Sequence, residues 1–121
     1  EEIVLGDLVL TPQEAQDLQR IVTVACGTSY YSGLVGKFYI ENIARINVEV
    51  DYGSEYRYRD PILNDKTAVL AITQSGETVD TLAAIEEAHE KLGLVWSIVN
   101  AVGSQAMRVA NGYIIRGLII F

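Results

Sequence analysis

At 121 residues, half of them hydrophobic, the chain has the length of one domain and enough apolar content for a core without disulfide or metal staples. Its net charge of −7 argues against the basic face that nucleic-acid binding wants, so no nucleic-acid partner is expected. One cysteine, Cys26, and one histidine, His89, exclude an internal disulfide and a thiol-rich metal site, and remove most zinc, haem and Ser-His-Asp chemistry.

Glu1-Glu2 opens the chain without a basic segment leading into an apolar one, and no apolar run reaches the roughly 20 residues of a membrane helix. A cytoplasmic chain with neither leader nor membrane partner is therefore expected. Thr11-Pro12-Gln13-Glu14 has the form of a capping box with Pro at the first helical position, and predicts a short helix over about Pro12 to Gln19. Ile21 to Ala25 is a β-branched run suited to a strand buried on both faces. Cys26-Gly27-Thr28-Ser29 interrupts it, and from Tyr30 a helical period begins, with Leu34, Val35, Phe38, Ile40, Ile43 and Ala44 near one side.

Asn47 to Asp51 reads as a second strand, and Tyr52 to Asn64 as a short helix with a turn at Asp60-Pro61. Lys66 to Ile72 is a third strand, broken by Thr73-Gln74-Ser75-Gly76-Glu77-Thr78. Val79 to Lys91 is a helix whose apolar face carries Leu82, Ile85 and Ala88. Leu94 to Val99 is a fourth strand, Ser104 caps a short helix, and Gly112 to Phe121 holds a fifth strand. Strands alternating with helices in this way imply an α/β domain with a parallel sheet between helical layers. No repeat or linker divides residues 1–121, so a single domain is expected.

Two loops combine Gly with hydroxyl residues between a strand and a helix, namely Cys26 to Ser29 and Thr73 to Thr78. In such sheets ligands bind beyond the carboxyl ends of the strands. Unpaired N–H groups and the helix dipole favour an anion there. Gly27 and Gly76 allow close backbone approach, and Ser75 and Thr78 lie across one turn. Both loops also fit simple capped turns. Neither is a Walker loop or a GxGxxG fingerprint, and no cofactor is expected.

Ala25-Cys26-Gly27-Thr28-Ser29-Tyr30, Ser54-Glu55-Tyr56-Arg57-Tyr58-Arg59, Ala71-Ile72-Thr73-Gln74-Ser75-Gly76-Glu77-Thr78 and Asp80-Thr81-Leu82 resemble the first sugar-isomerase (SIS) domain of the glucosamine-6-phosphate synthase family, the glutamine–fructose-6-phosphate aminotransferases. The resemblance runs from about residue 4 to residue 112. It implies a three-layer sandwich around a five-stranded parallel sheet, doubly wound in the flavodoxin-like manner. It also implies a phosphorylated hexose or hexosamine as ligand. Thr73, Gln74, Ser75 and Thr78 would hold the phosphate, Thr28 and Ser29 would lie against the sugar, and Val102 would contact it through its backbone. Thr73 stands where the family usually has Ser, and Tyr31 where His is usual.

The family's glutaminase domain, its second SIS domain and its C-terminal tail, with the Glu, His and Lys that open the ring and move protons, have no matching segment here. No catalytic residue is therefore assigned. Ile114 to Phe121 replaces a Gly- and Ser-rich stretch with a Lys, which suggests a truncated or engineered version of the domain, a natural short homologue being the alternative. Cys26 and Trp96 are expected to pack, His89 to be solvated or to satisfy a helix end, Glu77 to face a helix dipole, and Arg57 and Arg59 to make salt bridges or an interface. Tyr52, Tyr56 and Tyr58 are expected in packing or an interface. Three functions remain: a catalytically incomplete phosphosugar-binding module, part of an active aminotransferase completed by other segments, and a dimerising scaffold that binds nothing. A homodimer is expected, with the apolar side of a Ser32–Ile46 helix as its candidate interface.

Overall fold

A computed structural model of the chain describes residues 11–56, 58–73, 79–91, 94–99 and 112–115. The first helix, α1, spans Pro12–Asp17 and starts on the expected capping box. Thr11 Oγ1 accepts from the Glu14 amide at 3.1 Å, and the Glu14 carboxylate accepts from the Thr11 amide at 3.0 Å. Such a cap stabilises a helix by about 1 kcal/mol, and this one lets a six-residue helix without a buried face persist.

The sheet comprises β1 (Arg20–Ala25), β2 (Asn47–Tyr52), β3 (Thr67–Thr73), β4 (Leu94–Val99) and β5 (Gly112–Ile115). Its order is β2-β1-β3-β4-β5 and every pairing is parallel. Register aligns Ala25 with Ile72 and Tyr52, and Thr73 with Val99, so the carboxyl ends of the first four strands lie together. This is the doubly wound order in which the chain turns to opposite sides after β1 and after β3.

Helix α2 (Ser29–Ile43) covers one face of the sheet, while α3 (Gly53–Tyr56) and α4 (Val79–Glu90) cover the other. The side-chain period of two sorts the strand residues between these layers. Val22, Val24, Val69, Ala71, Val95 and Val99 pack with Tyr56, Ala84, Ile85 and Ala88. Ile21, Val48, Ala68 and Trp96 form the opposite cluster, with Ile40 of α2 and Leu18 against it. Each fully buried Ile or Val contributes about 1.5–3 kcal/mol, which explains why central strands read as unbroken apolar runs.

Helix α2 turns most of its large apolar residues away from the sheet. Ile40 packs against the core, while Leu34, Val35, Phe38 and Ile43 are exposed, Phe38 by 66% and Ile43 by 80%. The buried residues of the helix are Ser29 and Gly33. Small residues win that face because the helix lies close on the sheet. A Cβ built on Gly33 would stand 3.0 Å from Val50 Cγ1 and 3.2 Å from Thr23 Cγ2.

Two cations clamp the connection between α3 and β3 onto the edge of the sheet. Arg20 pairs with Glu49 across β1 and β2, with Nη2 to Oε2 at 2.6 Å, and its Nη1 donates to the Ile62 carbonyl at 2.7 Å. Lys91, just past α4, donates to the Pro61 carbonyl at 2.8 Å and pairs with Asp60 and Glu87. The hydrogen bond and charge of Lys91 hold the Asp60 carboxyl below its ordinary range. The turn expected at Asp60-Pro61 lies slightly earlier, where the Tyr58 and Arg59 amides donate to the Glu55 and Tyr56 carbonyls, and Asp60 follows it with a left-handed φ of 50°.

Candidate functional site

The site is built where α2 and α4 leave adjacent strands in opposite directions. Past Ala25 the chain runs through Cys26 and Gly27 into Thr28, the N-cap of α2. Gly27 has φ +60°, a conformation that costs an L side chain but not glycine. Its carbonyl accepts from the Tyr30 amide at 3.1 Å, and the Thr28 carbonyl accepts from Tyr31 at 3.1 Å, closing a tight first turn.

Thr28 is exposed and its side chain makes no capping hydrogen bond, which leaves its hydroxyl toward solvent at the start of α2. Ser29, the next residue, is buried. Thr73 ends β3 and is also buried, beside Val99 at the end of β4. The structure thus brings Thr28, Ser29 and Thr73 to the carboxyl ends of the neighbouring strands β1 and β3. Gln74, Ser75, Thr78 and Val102 lie outside the described residues, as do Glu77 and Arg57.

Three elements converge at the end of β1. Cys26 Sγ lies 3.8 Å from Thr81 Oγ1, linking the loop after β1 to the first turn of α4. Gly53, the first residue of α3, fills the remaining corner. A Cβ there would meet Cys26 Sγ at 3.0 Å and Asp80 Cβ at 3.2 Å. Cys26 is therefore a packing residue, as the sequence suggested, and no base among the described residues touches its sulfur. Sequence reasoning missed the Gly53 contact, because a tertiary approach between distant loops leaves no periodic trace.

An aromatic cluster borders the same end of the sheet. Tyr30 stacks on Tyr52 with ring centroids 3.9 Å apart and planes 10° from parallel, and Tyr31 meets Tyr30 edge-on at 5.9 Å. Desolvation, then the nearby Tyr31 and Tyr30 hydroxyls, raise the Tyr52 phenol above its ordinary pKa. Tyr56 and Trp96 are core, Tyr58 is exposed, and Arg59 pairs with Asp51 at 3.1 Å. His89 is exposed in the last turn of α4, where a cation complements the helix dipole.

Among the described residues no group of three or more His, Cys, Asp or Glu side chains is arranged to hold a metal. The chemistry on offer is hydroxyls and backbone amides at strand ends and helix starts, which bind and orient an oxyanion or a polyol.

A family model described as the SIS domain matches residues 16–117. The glutamine–fructose-6-phosphate aminotransferase (isomerizing) of Caldanaerobacter subterraneus is 48% identical over 110 residues, covering 91% of this chain and 18% of that protein. That of Mycobacterium tuberculosis is 49% identical over 106 residues, covering 88% and 17%. The chain thus spans less than a fifth of the length of these relatives.

Among solved structures, the C-terminal domain of glucosamine-fructose-6-phosphate aminotransferase from Francisella tularensis superposes with a TM-score of 0.80 at 33% identity, over 85% of this chain and 29% of that one. The glucosamine-6-phosphate deaminase of Thermotoga maritima shares the fold, with a TM-score of 0.75 at 17% identity, over 85% and 33% of the two chains.

Proposed function

The chain belongs to the SIS domain family, and on that premise we propose that it is a phosphosugar-binding domain of the glutamine–fructose-6-phosphate aminotransferase type, formed by residues 1–121 as one unit. Its ligand is fructose-6-phosphate or glucosamine-6-phosphate, seated in the crevice between the ends of β1 and β3. The observation that carries this reading is the convergence of Thr28, Ser29 and Thr73 at the point where the sheet changes winding direction. A strand-end hydroxyl, a tight Gly27 turn and a helix start on either side suit an anion that a protein of net charge −7 does not attract at long range.

In this assignment Thr73, Gln74, Ser75 and Thr78 hold the phosphate, Thr28 and Ser29 contact the sugar, and the Val102 backbone closes the far side. Ring opening and proton transfer need acid-base groups beside C1 and C2. No residue of the described crevice is a candidate for them, so turnover requires groups from other segments. The chain works as a homodimer in the cytoplasm, without nucleic-acid or membrane partners. No described helix is long and apolar enough to cross a membrane.

The dimer reading rests on α2. Tyr31, Val35, Phe38 and Asn42 fall at alternating spacings of four and three along its outer side, flanked by Leu34, Tyr39 and Ile43. That is the seam of a helix that packs on another helix.

Ser75→Ala and Thr78→Val test the phosphate assignment. Each removes one hydroxyl donor to an anion and is expected to weaken glucosamine-6-phosphate binding roughly tenfold or more, with an unchanged circular dichroism spectrum. Unchanged affinity in both variants would place the phosphate elsewhere.

A further inference from the structure

A second cleft lies away from the crevice, on the α4 side of the sheet edge formed by β1 and β2. Its volume is about 360 Å³, toward the small end of the range for small-molecule sites. Val22, Pro61 and the Tyr56 side chain give it apolar walls, and the polar lining comes from Arg20, Glu49, Asp51 and Arg59. We propose that this cleft is a binding site for a small, uncharged polyhydroxy compound of monosaccharide size, separate from the phosphosugar crevice.

Four observations support that ligand class. The charged lining sums to zero, because Arg20 pairs with Glu49 and Arg59 with Asp51. An anion would meet two carboxylates and a cation two guanidinium groups, whereas a neutral ligand displaces neither pair. The unused capacity is mixed. Arg59 commits Nε to Asp51 and is 61% exposed, leaving N–H donors at the rim, while Glu49 pairs through Oε2 and is 58% exposed. Hydroxyl groups donate and accept alike, so they match such a lining better than any purely anionic or cationic group.

The walls supply the remaining two. Val22 and Pro61 suit the C–H face of a sugar ring. The Tyr56 hydroxyl is buried in the wall with no hydrogen-bond partner. An unmet buried donor is costly, and a ligand hydroxyl reaching it after a small shift of the ring supplies the missing acceptor. Burial, with help from Glu87, pushes this phenol up to about 12 although Arg20 opposes it, so it stays a donor at neutral pH. The clamps from Arg20 to Ile62 and from Lys91 to Pro61 hold the roof in place without a ligand.

Titration with D-glucose, followed by amide chemical shifts of the ¹⁵N-labelled chain, tests the site. Millimolar glucose is expected to move Val22, Asp51, Tyr56 and Arg59, while glucosamine-6-phosphate at lower concentration moves Gly27 to Ser29. Tyr56→Phe keeps the ring and is expected to weaken glucose binding roughly 3- to 10-fold while leaving the unliganded fold as stable as before or more so. Arg59→Gln, at an exposed position, is expected to weaken it similarly. Absence of shifts at the cleft, shifts that neither variant alters, or one set of shifts common to both sugars would each overturn the proposal. Failure of the phosphosugar to bind would leave it standing.

Discussion

Two glycines of one helix show how a single methyl group decides stability. Gly33 faces the sheet, where an added Cβ would press on Val50 and Thr23, both β-branched and held in strands. Gly36 faces open space. Ala is the better helix former by about 0.5–1 kcal/mol. Gly36→Ala is therefore expected to stabilise the chain by that amount. Gly33→Ala gains the same propensity but overpacks the interface, which typically costs about 1–3 kcal/mol. A net loss of about 1 kcal/mol is expected, and urea unfolding of the two variants measures the opposite signs. The sequence places both glycines in a helix; which one touches the sheet follows only from the tertiary approach.

At the scale of the element, strands were the most legible part. The fourth strand has the expected bounds, and the first three differ by no more than a residue or two at either end. Unbroken β-branched runs have few alternatives once flanked by Gly and hydroxyl residues. The Thr11 capping box was equally plain, because its signal is local and both of its hydrogen bonds form. Helix α2 was not. Its apolar stripe stood out, but the residues that meet the core, Ser29, Gly33 and Ile40, did not, and most of the large apolar side chains remain outside. Periodicity identifies an apolar stripe without identifying what covers it.

That outward stripe makes a prediction of its own. If α2 pairs with α2 of a second copy, Phe38→Glu places a charge within an apolar seam and is expected to convert a dimer to a monomer in sedimentation at equal concentration. The fold should persist, since Phe38 is 66% exposed and contributes little to the core. A wild-type monomer, or a variant that stays dimeric, would remove α2 from the interface.

For the molecule as a whole, the alternation of strands and helices sufficed for a parallel sheet between helical layers, and the β2-β1-β3-β4-β5 order agrees with the doubly wound sheet that the resemblance implied. The candidate site was legible in part. The loops holding Thr28, Ser29 and Thr73 were singled out by position after a strand, and these three residues lie at the carboxyl ends of the neighbouring strands β1 and β3, whereas Gln74, Ser75, Thr78 and Val102 fall outside the described residues. The supporting corner of Cys26, Gly53 and Thr81 could not be read from the sequence, because its members are brought together only by folding.

The measurement that tests the central claim most directly is a calorimetric titration of the purified chain with glucosamine-6-phosphate at submillimolar concentration, with unphosphorylated glucosamine as control. Saturable heat with the phosphorylated sugar alone is the expected result and would establish an anion-selective crevice. Equal heat with both sugars, or none with either, would contradict a phosphosugar site in this chain.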